Sequence, residues 1–301
     1  MAVDLGGTKV EAALVDPSGR VLPDTRCRAA TGSAASIHEL SSVVSSVVRE
    51  ALGGRAVIGV GVAVPGPVDE ATGVTSPINL PVLHGFPLRS LIAEVAGEEH
   101  VEFRRDGVAL ALGEHWLGAG RGVSALLAVT VSTGIGGGVL IGGRALGGNA
   151  GHIGQIEVSG LTGGDCLGRT TMLESVASGP HIVEWARAQG FSGTSGEELA
   201  IAYAAGDPLA ASAVARCAEA VGQAIGSALA LVPVDVVSVG GGFSRVADDL
   251  VSRIGEVVAA HPLPYVAATP VLPAGLGADA PLVGAAALVY RSSLLPRVGS
   301  S

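Results

Sequence analysis

Val3-Asp4-Leu5-Gly6-Gly7-Thr8-Lys9 opens the chain and ends on its one lysine, in a sequence whose other basic residues are all arginine. A short apolar strand running into paired glycines gives a turn free of side chains, and its backbone N–H groups can converge on an anion. A compact ammonium suits a phosphate oxygen. On this segment alone, a plain β-hairpin with a stray lysine competes with that reading, because short glycine motifs are only hypotheses.

Working outward, the same design recurs. Residues 125–132 read as a strand, Thr133-Gly134-Ile135-Gly136-Gly137-Gly138 as a second glycine turn, and 139–141 as the returning strand. Around the first copy, strands are expected over residues 2–5, 12–15 and 20–27, the last after the Asp16-Pro17-Ser18-Gly19 turn. A helix follows over 37–51, a buried strand over 57–64 ending at Pro65-Gly66-Pro67, a strand over 101–103 and an alanine-rich helix over 107–117. The expected fold class is α/β, with duplicated βββαβα units in two domains facing an interdomain cleft. The N-terminal domain is expected over residues 1–107, with a C-terminal helix in 282–301 packing back on it, and the C-terminal domain over 108–281. Two opposed glycine turns could hold one polyphosphate, which favours the phosphate reading of the opening motif. A third run, Val239-Gly240-Gly241-Gly242-Phe243, follows a strand at 235–239 and precedes a helix expected from about Ser244. It fits an adenosine contact, against the alternative of a close helix–strand packing turn.

Composition excludes several classes. The net charge of −9 opposes nucleic acid as a principal ligand. The apolar stretches are interrupted before the ~20 residues of a membrane span, so no membrane partner is expected. A strand within the first residues leaves no room for a secretion leader, and cytoplasmic residence is expected. Cys27, Cys166 and Cys217 are odd in number and far apart, which offers neither a disulfide framework nor a CxxC knuckle.

Taken together, residues 4–9, 59–67, 76–81, 106–120, 132–138, 150–154, 173–179, 240–243 and 284–287 resemble, in order, the ROK family of sugar kinases and repressors, of the actin-like ATPase (ribonuclease H-like) fold class. The resemblance implies transfer of the γ-phosphoryl group of ATP to a sugar hydroxyl with Mg²⁺, in a homodimer. Asp4, Gly6, Gly7, Thr8 and Lys9 with Thr133, Gly134 and Gly136 would hold phosphates and Mg²⁺, and Gly240 and Gly241 would flank the adenosine. Asp106 falls at the catalytic base; the alternative is a plain helix N-cap. Gly66, Asn79, Arg105, Asp106, His152, Gln155 and Glu174 fall at sugar-side positions.

Departures from the family pattern lie on that sugar side. Arg105 stands where Asn is usual, and Ala150-Gly151-His152-Ile153-Gly154-Gln155 replaces Ala-Gly-Glu-x-Gly-His. Arg105 would either hold an acidic group of the substrate or pair with Asp106. His152 would either donate to a sugar hydroxyl or be a buried histidine satisfied by backbone. The structural zinc of many members would fall on Gln155, Asp165, Leu167 and Met172, which cannot form a thiolate and imidazole site, so no structural zinc is expected. Two function classes remain, an active hexose or N-acyl hexosamine kinase and a non-catalytic sugar-binding or regulatory member. The DNA-binding branch needs a helix-turn-helix ahead of the first motif, for which this sequence has no room.

Overall fold

The computed structural model describes residues 1–31, 36–76, 81–148, 150–164, 168 and 170–296. In chain order the elements are β1 (Ala2–Leu5), β2 (Lys9–Ala13), β3 (Cys27–Ala30), α1 (Ile37–Leu52), β4 (Val60–Val64), β5 (Val68–Asp69), β6 (Val74–Thr75), α2 (Leu88–Ala96), β7 (Val101–Arg105) and α3 (Asp106–Leu117). They continue with β8 (Leu126–Val131), β9 (Ile135–Ile141), β10 (Arg144–Ala145), α4 (Leu173–Ala177), α5 (Gly179–Ala188), α6 (Gly196–Ala204) and α7 (Pro208–Leu231). The chain ends with β11 (Val236–Gly240), α8 (Leu250–Ala259), α9 (Pro264–Ala267), β12 (Val271–Pro273) and α10 (Ala280–Tyr290). Two compact units result: Met1–Arg121, Arg144–Gly148 and Leu276–Ser301 form the first, Gly122–Gly143 and Asn149–Gly275 the second.

The first unit is built on a sheet of order β3-β2-β1-β4-β7, antiparallel through β3, β2 and β1 and parallel through β1, β4 and β7. Strand alternation sorts its two faces. Val3, Leu5, Val62, Val64 and Phe103 join the core with Leu40, Val44 and Val48 of α1 and Leu88 and Ile92 of α2. Gly61 faces the other way, against α10, where a Cβ would overlap the carbonyl oxygen of Ala285. Helix α10 also packs on α3, where a Cβ on Gly284 would lie 2.8 Å from the Ala109 oxygen. Helix α1 starts at a reciprocal capping box, Ser36 with Glu39, and stops at Gly53 in the left-handed region.

Glu114 of α3 is fully buried, and its carboxylate accepts the Ala119 N–H at 2.8 Å and the Leu276 N–H at 3.2 Å. It thereby fastens the chain near where it leaves the first unit and where it returns.

The second unit repeats the pattern. Its β9, β8, β11 and β12 run in the order and directions of β2, β1, β4 and β7. The long helix α7 starts on an Asp207 cap, whose Oδ1 accepts the Leu209 and Ala210 N–H groups at 2.8 Å, and packs against α4, α5 and α8.

Four expectations are corrected. The boundary expected at residue 107 falls after Arg121, because α3 packs with α10. The third strand runs over Cys27–Ala30 and not 20–27, since Pro23 lacks an N–H and opens a 3₁₀ turn, Pro23–Thr25. Gly136, Gly137 and Gly138 belong to β9, paired with Thr130, Val129 and Ala128, so the second turn is confined to residues 132–134. The helix expected from Ser244 is a 3₁₀ turn there, Phe243–Arg245, and α8 begins at Leu250.

The close fit of β4 to α10 sets an expectation for stability. Gly61→Ala is expected to cost about 1–3 kcal/mol by overpacking, whereas Gly164→Ala, with no atom of the described residues within 4 Å of its Cβ, is expected to be near neutral. Chemical denaturation of both variants measures the difference.

Candidate active site

Asp4 stands on β1 and Asp106 follows β7, two parallel strands separated by β4. In the sheet register Asp4 lies beside Ala63, and Ala63 beside Arg104, which puts Asp106 just past the end of β7. Asp106 is exposed and is the first residue of α3; Arg105 precedes it as the N-cap residue without a capping side chain. The Asp106 Oδ1 accepts the Gly107 N–H at 2.7 Å. The carboxylate therefore does serve its own helix start, yet it remains open to solvent.

Asp4 is different. Crowding by surrounding protein, then the negative charge of Asp106, push its pKa from 3.8 up to about 7, with Glu11 adding to the rise and Lys9 opposing it. A buried carboxyl under the influence of a like charge favours a proton or a cation, and carboxylate oxygens are the donors a hard divalent metal such as Mg²⁺ takes. The adjoining turn is closed by the Gly6 N–H donating to the Lys9 carbonyl at 2.8 Å, and Thr31 Oγ1 donates to the Gly7 carbonyl at 3.1 Å. Thr8 is exposed.

Lys9 is engaged by a strand neighbour. It is the first residue of β2, and its ammonium is held 2.8 Å from the Glu11 carboxylate. Glu11 is 2% exposed and lies directly across from Asp4. Burial alone would raise its pKa, but hydrogen bonds from Lys9 and Arg26 outweigh that and lower it. Arg26 continues the chain of charges, 2.6 Å from Glu11 and 2.6 Å from Asp279 beside α10. Sequence reading missed Glu11, although its spacing of two from Lys9 on a strand places both on one face.

In the second unit, Glu174 of α4 sits under the second glycine turn. Its Oε2 accepts the Ile135 N–H at 2.8 Å, and a Cβ on Gly134 would stand 2.7 Å from that oxygen. Thr133 is exposed at the turn. Gly136 lies in β9 one residue beyond Ile135. The strand's glycines have a packing cause: a Cβ on Gly151 would overlap the Gly137 carbonyl, and one on Gly154 the Ile135 carbonyl. The segment 150–155 thus lies flat on β9 and presents His152 and Gln155, both exposed. The buried-histidine alternative for His152 is excluded.

Gly240 ends β11, and Gly241 has φ +101° with no room for a Cβ beside the Val131 carbonyl and the Thr130 hydroxyl of β8. Phe243 packs against Gly179 at the start of α5 and against Gly196.

Arg105 is buried, 6% exposed, and donates from Nη2 to the Gly148 carbonyl at 2.9 Å. Arg104, beside it, pairs with Glu70 at 3.4 Å and Glu102 at 3.3 Å. Gly66 follows β4, half-buried, and Asn79 lies outside the described residues. Among the described residues no three His, Cys, Asp or Glu side chains converge as a metal site, and no helix is long and apolar enough to cross a membrane.

The ROK family model matches residues 1–292. The chain belongs to the ROK family. A glucokinase of Thermotoga maritima is 29% identical over 311 residues, covering 96% of both chains. An N-acetylmannosamine kinase of Vibrio cholerae is 31% identical over 294 residues, covering 95% of this chain and 97% of the relative. The structure of a ROK glucokinase from Streptomyces griseus, in complex with glucose and AMPPNP, superimposes with a TM-score of 0.82 at 27% identity, covering 95% of this chain and 97% of that one. The fold is the two-unit α/β architecture of these actin-like ROK kinases.

The raised Asp4 carboxyl gives a pH expectation. The folded protein holds this proton more tightly than the unfolded chain, so its stability without ligand falls as pH rises from about 4 to about 7. Asp4→Asn is expected to remove that slope and to gain stability over the wild type at about pH 8. Thermal unfolding across this range checks it; an unchanged slope in Asp4→Asn contradicts the pairing of Asp4 with Asp106.

Proposed function

We propose that this ROK protein is a sugar kinase that transfers the γ-phosphoryl group of ATP to a hydroxyl of a hexose or N-acyl hexosamine, with Asp106 as general base. The observation that carries the reading is the carboxylate pair of the first unit, an exposed Asp106 at a strand end electrostatically joined to Asp4 at a glycine turn. The curated relatives, which are sugar kinases, support the reaction and the range of acceptors.

Phosphoryl transfer asks the protein mainly for position and charge, plus one group to take the hydroxyl proton. Asp106 is suited to that proton: its carboxylate is exposed, and the Gly107 N–H fixes one oxygen so that the group keeps its aim. The backbone of Gly6, Gly7 and Thr8 and that of Thr133 and Gly134 would cradle the phosphates, with Gly136 behind the second turn and Glu174 bracing it through Ile135. Gly240 and Gly241 leave a flat backbone against which an adenosine fits. Mg²⁺ held by Asp4 and the phosphates would neutralise charge on the transferring group. Lys9 contributes through its charge near Asp4 and Glu11 rather than as a free ammonium.

On the sugar side, Gly66, Asn79, Arg105, His152, Gln155 and Glu174 are the proposed contacts, beside Asp106. Structural zinc is not part of this reading. Gln155 is exposed on its turn and Met172 precedes α4 in a bridge to Glu157, while Asp165 and Leu167 lie outside the described residues. An amide and a thioether do not make a structural zinc site. The reading also takes the protein as a cytoplasmic homodimer without nucleic-acid or membrane partners.

The test is Asp106→Asn. Its turnover is expected to fall about 10²–10⁴-fold, the usual worth of a general base, while calorimetric sugar binding stays near wild type. Unchanged turnover removes Asp106 from the mechanism; lost turnover together with lost sugar binding makes it a binding residue instead.

A further inference from the structure

We propose that Glu11 is a positioning residue for nucleotide binding: its buried carboxylate holds the Lys9 ammonium beside the first glycine turn, so that a fixed cation meets the phosphates there. The inference rests on the sugar-kinase reading and deepens it. Every group involved belongs to the first unit. Glu11 is the middle residue of β2 and stands in register with Asp4 of β1. Residues two apart on a strand share a face, and cross-strand partners do too. Lys9, Glu11 and Asp4 therefore project to one side of the sheet.

Two carboxylates directly opposite each other on neighbouring strands repel, and burial of a charge adds to the cost. Glu11 nevertheless keeps its charge, because each of its oxygens has a cation: Oε2 accepts from Lys9 Nζ at 2.8 Å and Oε1 from Arg26 Nε at 2.6 Å. Arg26 is itself fixed from its other end, with Nη1 donating to Asp279 Oδ1 at 2.6 Å just ahead of α10. Glu11 is thus anchored through Arg26 and has one oxygen left to hold Lys9. The shape of the turn does not depend on this arrangement. The Gly6 N–H closes it on the Lys9 carbonyl, and Thr31 fastens it from its N–H to the Thr8 carbonyl at 3.0 Å and from Oγ1 to the Gly7 carbonyl at 3.1 Å. What Glu11 adds is the place of a charge. A lysine stem is long and flexible, so an ammonium already held loses less freedom when an anion arrives. An ammonium also has three donors, and the bond to Glu11 takes one. Lys9 keeps 40% of its side chain exposed, which leaves a phosphate oxygen a way to reach it while Glu11 retains its hold.

The chain's single lysine makes the test direct, because an amine-selective reagent reports on one side chain. Reductive methylation of Lys9, followed by peptide mass spectrometry, is compared in the full-length wild type, Glu11→Gln and Glu11→Asp. Calorimetric affinity for Mg²⁺·ADP and kinetics with sugar and ATP varied separately accompany it. Wild-type Lys9 is expected to react more slowly than a free lysine analogue, and Glu11→Gln to speed the reaction. The same variant is expected to weaken Mg²⁺·ADP binding and raise the ATP KM about tenfold, leaving the sugar KM and kcat within about threefold. Glu11→Asp, which keeps the carboxylate, is expected to recover most of these losses. In a Lys9→Ala background, Glu11→Gln is expected to cause no further loss of nucleotide affinity, since it acts through Lys9. A further loss in that background overturns the proposal, as do equal losses for sugar and ATP, which would reduce Glu11 to general support of the fold. Unchanged labelling in Glu11→Gln overturns it too. Wild-type Lys9 that reacts as fast as the free analogue overturns it without any variant. A wild type that phosphorylates no sugar refutes the kinase reading alone, and labelling with Mg²⁺·ADP binding then decides whether Glu11 positions Lys9.

Discussion

Backbone meets backbone where no side chain fits, and both units depend on it. In the first unit, Gly61 lies against Ala285 and Gly284 against Ala109, so α10 rests directly on β4 and α3. In the second, Gly137 and Gly151 meet through their own carbonyl groups, and Gly241 lies on the end of β8. These contacts account for part of a composition of 46 glycines with only 3% aromatic residues. Close approach of small residues supplies packing density that bulky side chains supply elsewhere. The cost is the flexibility glycine gives the unfolded chain, which such packing has to offset.

Upon this frame the charged groups take up constrained positions. Asp4, Glu11 and Asp106 gather negative charge about the first glycine turn, and the cations nearest by, Lys9 and Arg26, are engaged by Glu11. Burial first, and the charge of Asp106 after it, raise the pKa of Asp4 and leave negative charge in surplus there. That imbalance is what a nucleotide bound with a divalent cation would relieve, and it gives the unliganded protein a reason to bind one. Of the neighbouring arginines, Arg104 is held by Glu70 and Glu102, while Arg105 donates to the Gly148 carbonyl and keeps its charge near Asp106.

Much of the fold was readable because it is periodic. Strand alternation and the helical spacing of residues 37–51 mark β1 and α1 closely and the end of β4, and the repeated glycine design announces two related sheets. Tertiary approach defeated the local signals elsewhere. The glycines 136–138 look like a turn but continue β9, because what they accommodate is the distant segment at 151–154. Pro23 broke a strand that composition alone favoured. At the site, the strand-to-helix junction at Asp106 was legible in the sequence. The direction of Arg105 was not, since its acceptor lies 43 residues away and no local pattern links the two. Lys9 was misleading for the opposite reason: its position beside a glycine turn is conspicuous, but a strand neighbour two residues on captures its charge.

The central claim is that the carboxylate pair and the glycine turns serve phosphoryl transfer to a sugar. Coupled ADP release with Mg²⁺·ATP, measured on the wild-type protein across glucose, mannose, N-acetylglucosamine and N-acetylmannosamine, tests it most directly. Sugar-dependent ADP release with at least one of these acceptors is the expected result. Binding of ATP and of a sugar without any sugar-dependent ADP release would contradict it and make the protein a non-catalytic sugar-binding member of its family.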